Sequence, residues 1–488
     1  MSYIETSSGK WEIIIGLEVH AQVISESKLF SSASTKFGTA PNENVAYLDA
    51  AIPGSLPVIN SFCIDQAIKT GLGLNGTINL TSFFDRKNYF YADLPQGYQI
   101  TQFYHPLVSG GYVEIETDYG EVKKVNLDHI HIEQDAGKSI HDQSPIRSFI
   151  DLNRSGIGLM EIVTKPDMRS AVEVAIFLRK LRSILRYLKT CDGNMDEGSM
   201  RADLNVSVHR PGTDYGTRAE VKNVNSIKFL TIAVNFEVER QIGILESGKK
   251  VKQETRLFDN STGRTIAMRS KEDAQDYRYF PEPDLPPLRL EQSRIDAIRE
   301  SIPELPDAKS KRLQRDYNIP YYDACLIASE KEVADFYEKA LCDVEPDENL
   351  AKILSSWMTG ELFALLNRYN KTIVESKISP EHMKELMILI KTEVISGKIA
   401  KDILELMWET QESPLAIVEG RDWRQITSED EIRKYVREVL VNHNDKVVEY
   451  KNGKDKLFGF FVGQVMKITQ GKANPQILNE ILKRLLDT

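Results

Sequence analysis

The chain has little cysteine, no long apolar run and no excess of basic charge. Its four cysteines, Cys63, Cys191, Cys325 and Cys342, lie far apart in 488 residues and form no Cys-x-x-Cys pair. That spacing argues against a zinc ribbon or a disulfide framework, and makes a reducing, cytoplasmic setting the expectation. No stretch is apolar over the length a bilayer demands, and residues 1–10 hold no apolar signal core, so no membrane role is expected. Acidic residues outnumber basic ones 72 to 62, for a net charge of −10. This disfavours indiscriminate nucleic-acid binding, which phosphate attraction dominates. The end of the chain differs: residues 411–488 carry 13 Lys and Arg against 12 Asp and Glu, so a polyanion meets least repulsion there. Hydrolase machinery is missing too. Ser7-Ser8-Gly9 and Ser31-Ser32 lack the Gly/Ser-rich setting of amidase nucleophiles, and no cysteine sits beside a plausible histidine base. Any ammonia this chain uses is expected from another protein.

What is present is a set of strands with chemically rich polar faces. A strand sends residues i and i+2 to one side. In residues 11–22 that alternation gathers Glu18, His20 and Gln22, with Leu17, Val19 and Ala21 behind them. In 126–135 it gathers His129, His131, Glu133 and Asp135; in 200–208, Arg201, Asp203, Asn205 and Ser207; in 217–222, Arg218, Glu220 and Lys222. A sheet with one wet face is common, but it would more naturally carry Lys, Thr and Ser. Carboxylates with an imidazole and no thiol suit Mg²⁺ or Mn²⁺ better than Zn²⁺. Glu18, His20, Glu133 and Glu220 are the favoured ligands. Asp203 and Asn205 come second, and His129 and His131 read equally as packing histidines.

Residues 84–102 place Arg86, Lys87, Tyr89, Tyr91, Asp93 and Gln99 around a turn at Pro95-Gln96-Gly97. Cations and rings beside a metal suit a nucleotide, although an aromatic-rich hairpin would look similar. Asp135-Ala-Gly-Lys-Ser139 resembles the end of a P-loop, but Ile132 stands where the first glycine is required. Gly137 reads instead as a close backbone turn, with Lys138 in reach of a phosphate.

Three segments follow from patterning. Residues 1–294 mix strands with helices at 170–188 and 226–245, and leave through the proline-rich stretch 279–288. Residues 295–408 read as helical, with Ser379-Pro380 starting one helix and Gly397 read as a C-cap break. Residues 409–488 end in a helical hairpin, 459–469 and 475–486, with Lys472 at its tip and Asn474-Pro475 capping the second arm.

The motifs Gly16-Leu-Glu-Val-His-Ala-Gln22, Asp85-Arg-Lys-Asn-Tyr-Phe-Tyr91, Gln134-Asp-Ala-Gly-Lys138, Asp151-Leu-Asn-Arg-Ser-Gly156, Glu197-Gly-Ser-Met-Arg-Ala-Asp-Leu-Asn-Val206 and Glu220-Val-Lys-Asn-Val-Asn-Ser226, with residues 269–287, together resemble the GatB/GatE family. Its members include the B subunit of the glutamine-dependent aspartyl/glutamyl-tRNA amidotransferase. The resemblance spans essentially the whole chain. It implies an α+β architecture: an antiparallel-sheet cradle like that of glutamine synthetase, an α-helical domain, and a small helical YqeY-like tail that contacts tRNA. It implies a heterotrimer whose other members are an amidase (the A subunit) and a small protein (the C subunit). ATP would phosphorylate the side-chain carboxylate of misacylated Glu-tRNA(Gln) or Asp-tRNA(Asn), and ammonia would displace the phosphate. Glu18, His20, Glu133 and Glu220 would lie at a Mg²⁺ site, with Arg86, Lys87, Tyr89, Lys138, Asp203 and Asn205 around the nucleotide. Many members carry zinc-binding cysteine pairs between the first strand and the Pro-Gly-x-Leu-Pro element. None is found here, so no structural zinc is expected.

Overall fold

The computed structural model describes residues 3–117, 120–141, 143–270, 276–342 and 347–487; the part of the 269–287 motif at 271–275 lies outside them. The chain divides into two compact units, Met1–Leu305 and Pro306–Thr488.

The first unit is built on an eleven-stranded sheet. Its central strand, Gly9–Gln22, pairs with Met200–His209 on one side and Gly158–Thr164 on the other, and Val122–Gln134 lies beyond Gly158–Thr164. Ala219–Lys222 pairs with Met200–His209 and is followed outward by Glu254–Asp259 and Arg264–Ser270. Among the described residues, every ladder is antiparallel except one. Ala219–Lys222 and Glu254–Asp259 run parallel, an exception within a sheet that is otherwise antiparallel as expected. Parallel neighbours need a long crossover, and the helix Ile227–Glu246 supplies it.

The apolar face of Gly9–Gln22, including Ile13, Ile15, Leu17, Val19 and Ala21, is buried in one core with the helices Ala171–Leu188 and Ile227–Glu246. Both helices start where the sequence indicates: the hydroxyls of Ser170 and Ser226 accept from the backbone of Glu173 and Phe229. Each fully buried aliphatic side chain contributes about 1.5–3 kcal/mol, which fixes which face turns inward. The polar face is thereby left outward. The proline-rich stretch is a strap: Phe280–Pro281 pairs with Asp85–Asn88 and Leu288–Arg289 with Thr81–Ser82.

The second unit is helical, with two hydrophobic clusters, one running from Leu313 to Val418 and another from Ile432 to Leu486. Ser379 caps Pro380–Lys391 as read from sequence. Gly397 does not end a helix: it is the first residue of Gly397–Thr410, with Ser396 as cap. The break falls earlier, at Glu393, whose φ is +57°. Asn474 caps Pro475–Asp487, its side-chain oxygen accepting from Gln476 and Ile477. Lys472 is tied back rather than presented at a tip. Its ammonium lies 3.3 Å from Asp422, and its carbonyl accepts from the Ile426 amide.

Candidate active site

Four neighbouring strands bring one row of side chains into register. Glu161 stands opposite His131 on one side and His20 on the other, and Arg201 stands opposite His20. Directly opposed residues share a face and touch. Glu161 Oε2 is 3.4 Å from His20 Nε2 and 3.3 Å from His131 Nε2, and the latter nitrogen is 3.5 Å from Glu133 Oε2. Thr101 donates to the same Glu133 oxygen at 2.8 Å. Further along the face, Glu18 opposes Asp203, and Asn205 opposes Glu220. Asn205 donates to Glu18 at 3.0 Å, Thr255 donates to Glu220 at 3.0 Å, and the Lys222 ammonium spans Asp203 (2.8 Å) and Glu220 (2.7 Å).

Among the described residues, two groups can each offer three ligand atoms within 4.8 Å of one another: His20, Glu133 and Glu161, and Glu18, Asp203 and Glu220. The four favoured ligands are therefore divided between two groups. Glu161 is a site residue that the sequence pattern does not single out. Its strand, Gly158-Leu-Met-Glu-Ile-Val-Thr164, reads as an ordinary buried strand, and the lone carboxylate in it is the only signal.

The electrostatics fit a site built for a cation. Burial, then Glu161 and Glu220, push the Glu18 carboxyl up from its usual range. Burial opposes charge on Glu161 too, but the imidazoles of His131 and His20 outweigh it and hold the carboxyl well below that range. Burial likewise disfavours charging His131, yet Glu161 and Glu133 lift it to about 10. Glu133 is lowered against its burial by the His131 hydrogen bond and by Lys87, and Lys87 is raised against its burial chiefly by Glu133. A divalent ion bound here would add positive charge that favours ionised carboxylates and neutral imidazoles. His20 Nδ1 is buried without a hydrogen-bond partner among the described residues. The donor set fits a hard, oxygen-preferring ion in the Glu18 group and a mixed oxygen–imidazole ion in the other.

The remaining sequence candidates separate. Lys87 faces Glu133 and lies 5.2 Å from the Tyr277 ring. Tyr89 donates to Gln99, whose amide donates to the Gln134 carbonyl. Arg86 makes a two-pronged contact with the buried Glu282, 2.7 Å at each prong, and reaches Asp284 at 3.2 Å. Its guanidinium fastens the proline-rich strap. Lys138 is exposed and lines a cleft of about 600 Å³ with Lys36, Phe37, Arg154, Arg201 and Asn225. A second cleft, of about 470 Å³, opens beside Glu18 and Asn205 and is lined by Tyr215 and Arg218.

Two acidic groups on one sheet face, flanked by cation-bearing clefts, are a feature of enzymes that handle a divalent ion with phosphate. Residues 13–296 match the model of the GatB/GatE catalytic domain, and residues 335–486 match that of the GatB domain. Proteins named as the B subunit of aspartyl/glutamyl-tRNA(Asn/Gln) amidotransferase are similar end to end. The one from Gluconobacter oxydans (strain 621H) is 55% identical over 488 residues, covering 100% of both chains. That from Acidiphilium cryptum (strain JF-5) is 56% identical over 485 residues, 99% of each, and that from Rickettsia conorii (strain ATCC VR-613 / Malish 7) is 52% identical over 488 residues, 100% of each. The chain belongs to the GatB family.

Proposed function

We propose that this chain is the B subunit of a glutamine-dependent amidotransferase. In this reading it uses ATP to phosphorylate the side-chain carboxylate of glutamate or aspartate carried on tRNA, and then amidates it. The observation that carries the reading is the pair of acidic groups on one sheet face, one centred on Glu161 and the other formed by Glu18, Asp203 and Glu220, in a chain 55% identical over its full length to a protein of that name.

The chemistry suits the site. A carboxylate is a poor acyl donor; transfer of the γ-phosphoryl gives it a leaving group, with ADP departing. Ammonia then attacks the acyl carbon, phosphate leaves and one proton is lost. Glu18, Asp203 and Glu220, with His20, Glu133 and Glu161, would hold Mg²⁺, which supplies neutralising charge to phosphate oxygens. Asn205 orients Glu18, and Thr101 and Thr255 orient Glu133 and Glu220. Lys87 offers positive charge at Glu133, and Lys138 offers it at the rim of the larger cleft. Among the described residues, no helix is long and apolar enough to cross a membrane.

The finer parts of the reading are a glutamine synthetase-like cradle, an amidase partner that releases ammonia (the A subunit), a small bracing partner (the C subunit), a cytoplasmic setting and no structural zinc. Between the first strand and the Pro-Gly-x-Leu-Pro element this chain buries Lys28 against Asp49 at 2.8 Å, and Lys28 also donates to the carbonyls of Asn44 and Leu152.

The test is tRNA-dependent ATP cleavage by the reconstituted complex. Glu133→Gln and Glu161→Gln should each lower turnover by roughly a hundredfold or more while leaving tRNA binding intact. Wild-type turnover in both variants would reduce the acids to a structural role.

A further inference from the structure

Arg201 is anchored from below. Asp135, whose side chain is 1% exposed, accepts from Arg201 Nη2 at 3.2 Å and from Gln22 at 2.9 Å, and its carboxylate lies 3.5 Å from Arg154 Nε. Among the described residues, Asp135 is the only side chain that hydrogen-bonds Arg201. One N–H of Nη2 is therefore committed to a buried pedestal and its second N–H is left to pair with a neighbouring nitrogen, while the side chain remains 34% exposed in the wall of the larger cleft. A planar guanidinium so held recognises a carboxylate with two parallel hydrogen bonds.

Its place in the row gives it a direction. Arg201 opposes His20, and two residues along the same strand face Asp203 joins Glu18 and Glu220. That step is about 7 Å. Phosphoryl transfer proceeds with entering and leaving oxygens roughly in line, so the two substrates must approach from opposite ends of the row. The smaller cleft adjoins Glu18 and suits the nucleotide. The larger one carries four cations, Lys36, Lys138, Arg154 and Arg201, against three carboxylates, Asp151, Asp196 and Glu197, with the Phe37 ring 70% exposed at its edge. Clustered cations with an open ring suit a single-stranded, acylated RNA end, whose phosphates need charge and whose terminal base needs a stacking face.

We infer that Arg201, held by Asp135, binds the side-chain carboxylate of the aminoacyl group in the larger cleft, and so sets the preference for an acidic aminoacyl-tRNA over its amide product. The inference rests on the phosphorylation reading above. Arg201 touches substrate, and Asp135 is a positioning residue.

The experiment uses the reconstituted complex with Arg201→Gln, Arg201→Lys and Asp135→Asn. It measures KM and kcat for Glu-tRNA and for ATP, and inhibition by Gln-tRNA and by uncharged tRNA. Arg201→Gln should raise KM for Glu-tRNA by about tenfold or more, the loss of a charged hydrogen bond. It should erase discrimination between Glu-tRNA and Gln-tRNA while leaving KM for ATP and inhibition by uncharged tRNA within about twofold of wild type. Arg201→Lys should restore part of the discrimination, and Asp135→Asn should weaken it without changing KM for ATP. A rise in KM for ATP instead would make Arg201 a nucleotide ligand. Equal losses for charged and uncharged tRNA would make it structural. Either result overturns the inference, as does unchanged discrimination. An inactive Glu133→Gln alongside an Arg201→Gln of wild-type discrimination removes only this inference, whereas an active Glu133→Gln removes the reading beneath it.

Discussion

At the scale of single residues, alternation along strands is enough to name Glu18, His20, Glu133, Asp203, Asn205 and Glu220, because every second position on a half-wet strand declares its face. Glu161 escapes that logic because its neighbours are apolar on both faces, and what makes it central is the pair of imidazoles that register brings to it. Arg86 shows another limit: its ion-pair partner, Glu282, lies 196 residues away in sequence, and no local pattern announces it. Two predictions belong here. Lys28→Met leaves Asp49 charged, buried and without its ammonium, and should cost about 3–5 kcal/mol in chemical denaturation, with Lys28→Met/Asp49→Leu recovering much of it. Burial pushes the Cys191 thiol up to about 12 and raises Cys63 as well, whereas Cys342 is exposed. Iodoacetamide near pH 8 should therefore label Cys342 and spare Cys63 and Cys191, as read by peptide mass spectrometry.

At the scale of elements, caps and periodicity are legible and the direction of strand pairing is not. Ser170, Ser226 and Ser379 each begin the helix that the sequence assigns them. Gly397 is ambiguous because glycine tolerates either end of a helix, and Ser396 decides the matter by capping. The parallel pair at 219–222 and 254–259 depends on where the crossover helix docks, which is a tertiary fact. Gly137 does behave as a close backbone turn: a Cβ there would lie 2.8 Å from the Asp93 carbonyl oxygen and 3.0 Å from that of Asp151. Gly137→Ala should then lower stability by about 1–3 kcal/mol and depress amidation more than tRNA binding, because the turn directly follows the Asp135 pedestal. Circular dichroism melts and paired activity and binding assays would show it.

At the scale of the whole molecule, the helical half carries two hydrophobic clusters, and the helix Pro414–Arg421 belongs to the first through Ile417 and Val418. A truncation at 409 would cut into that core, whereas removing 428–488 takes away the second cluster alone. The shorter deletion should weaken tRNA binding, most visibly as salt is raised, and leave ATP binding unchanged by calorimetry. A free-standing ligase for small acids would be indifferent to it.

The strand order has a consequence for synthesis. Residues 9–22 leave the ribosome early, but the partners on either side of them are residues 158–164 and 200–209, and Glu220 comes later still. Non-local pairing of this kind folds slowly. Until those segments are translated, the acid-bearing part of this strand, beyond the hairpin that Tyr3–Thr6 forms with residues 9–12, has two open edges, a form that chaperones and proteases recognise. Transcripts broken before that point should yield fragments that are degraded rather than stored, and metal binding by ribosome-stalled chains should begin at His20, Glu133 and Glu161 once residues 158–164 have emerged, and at Glu18, Asp203 and Glu220 only once residues 219–222 have.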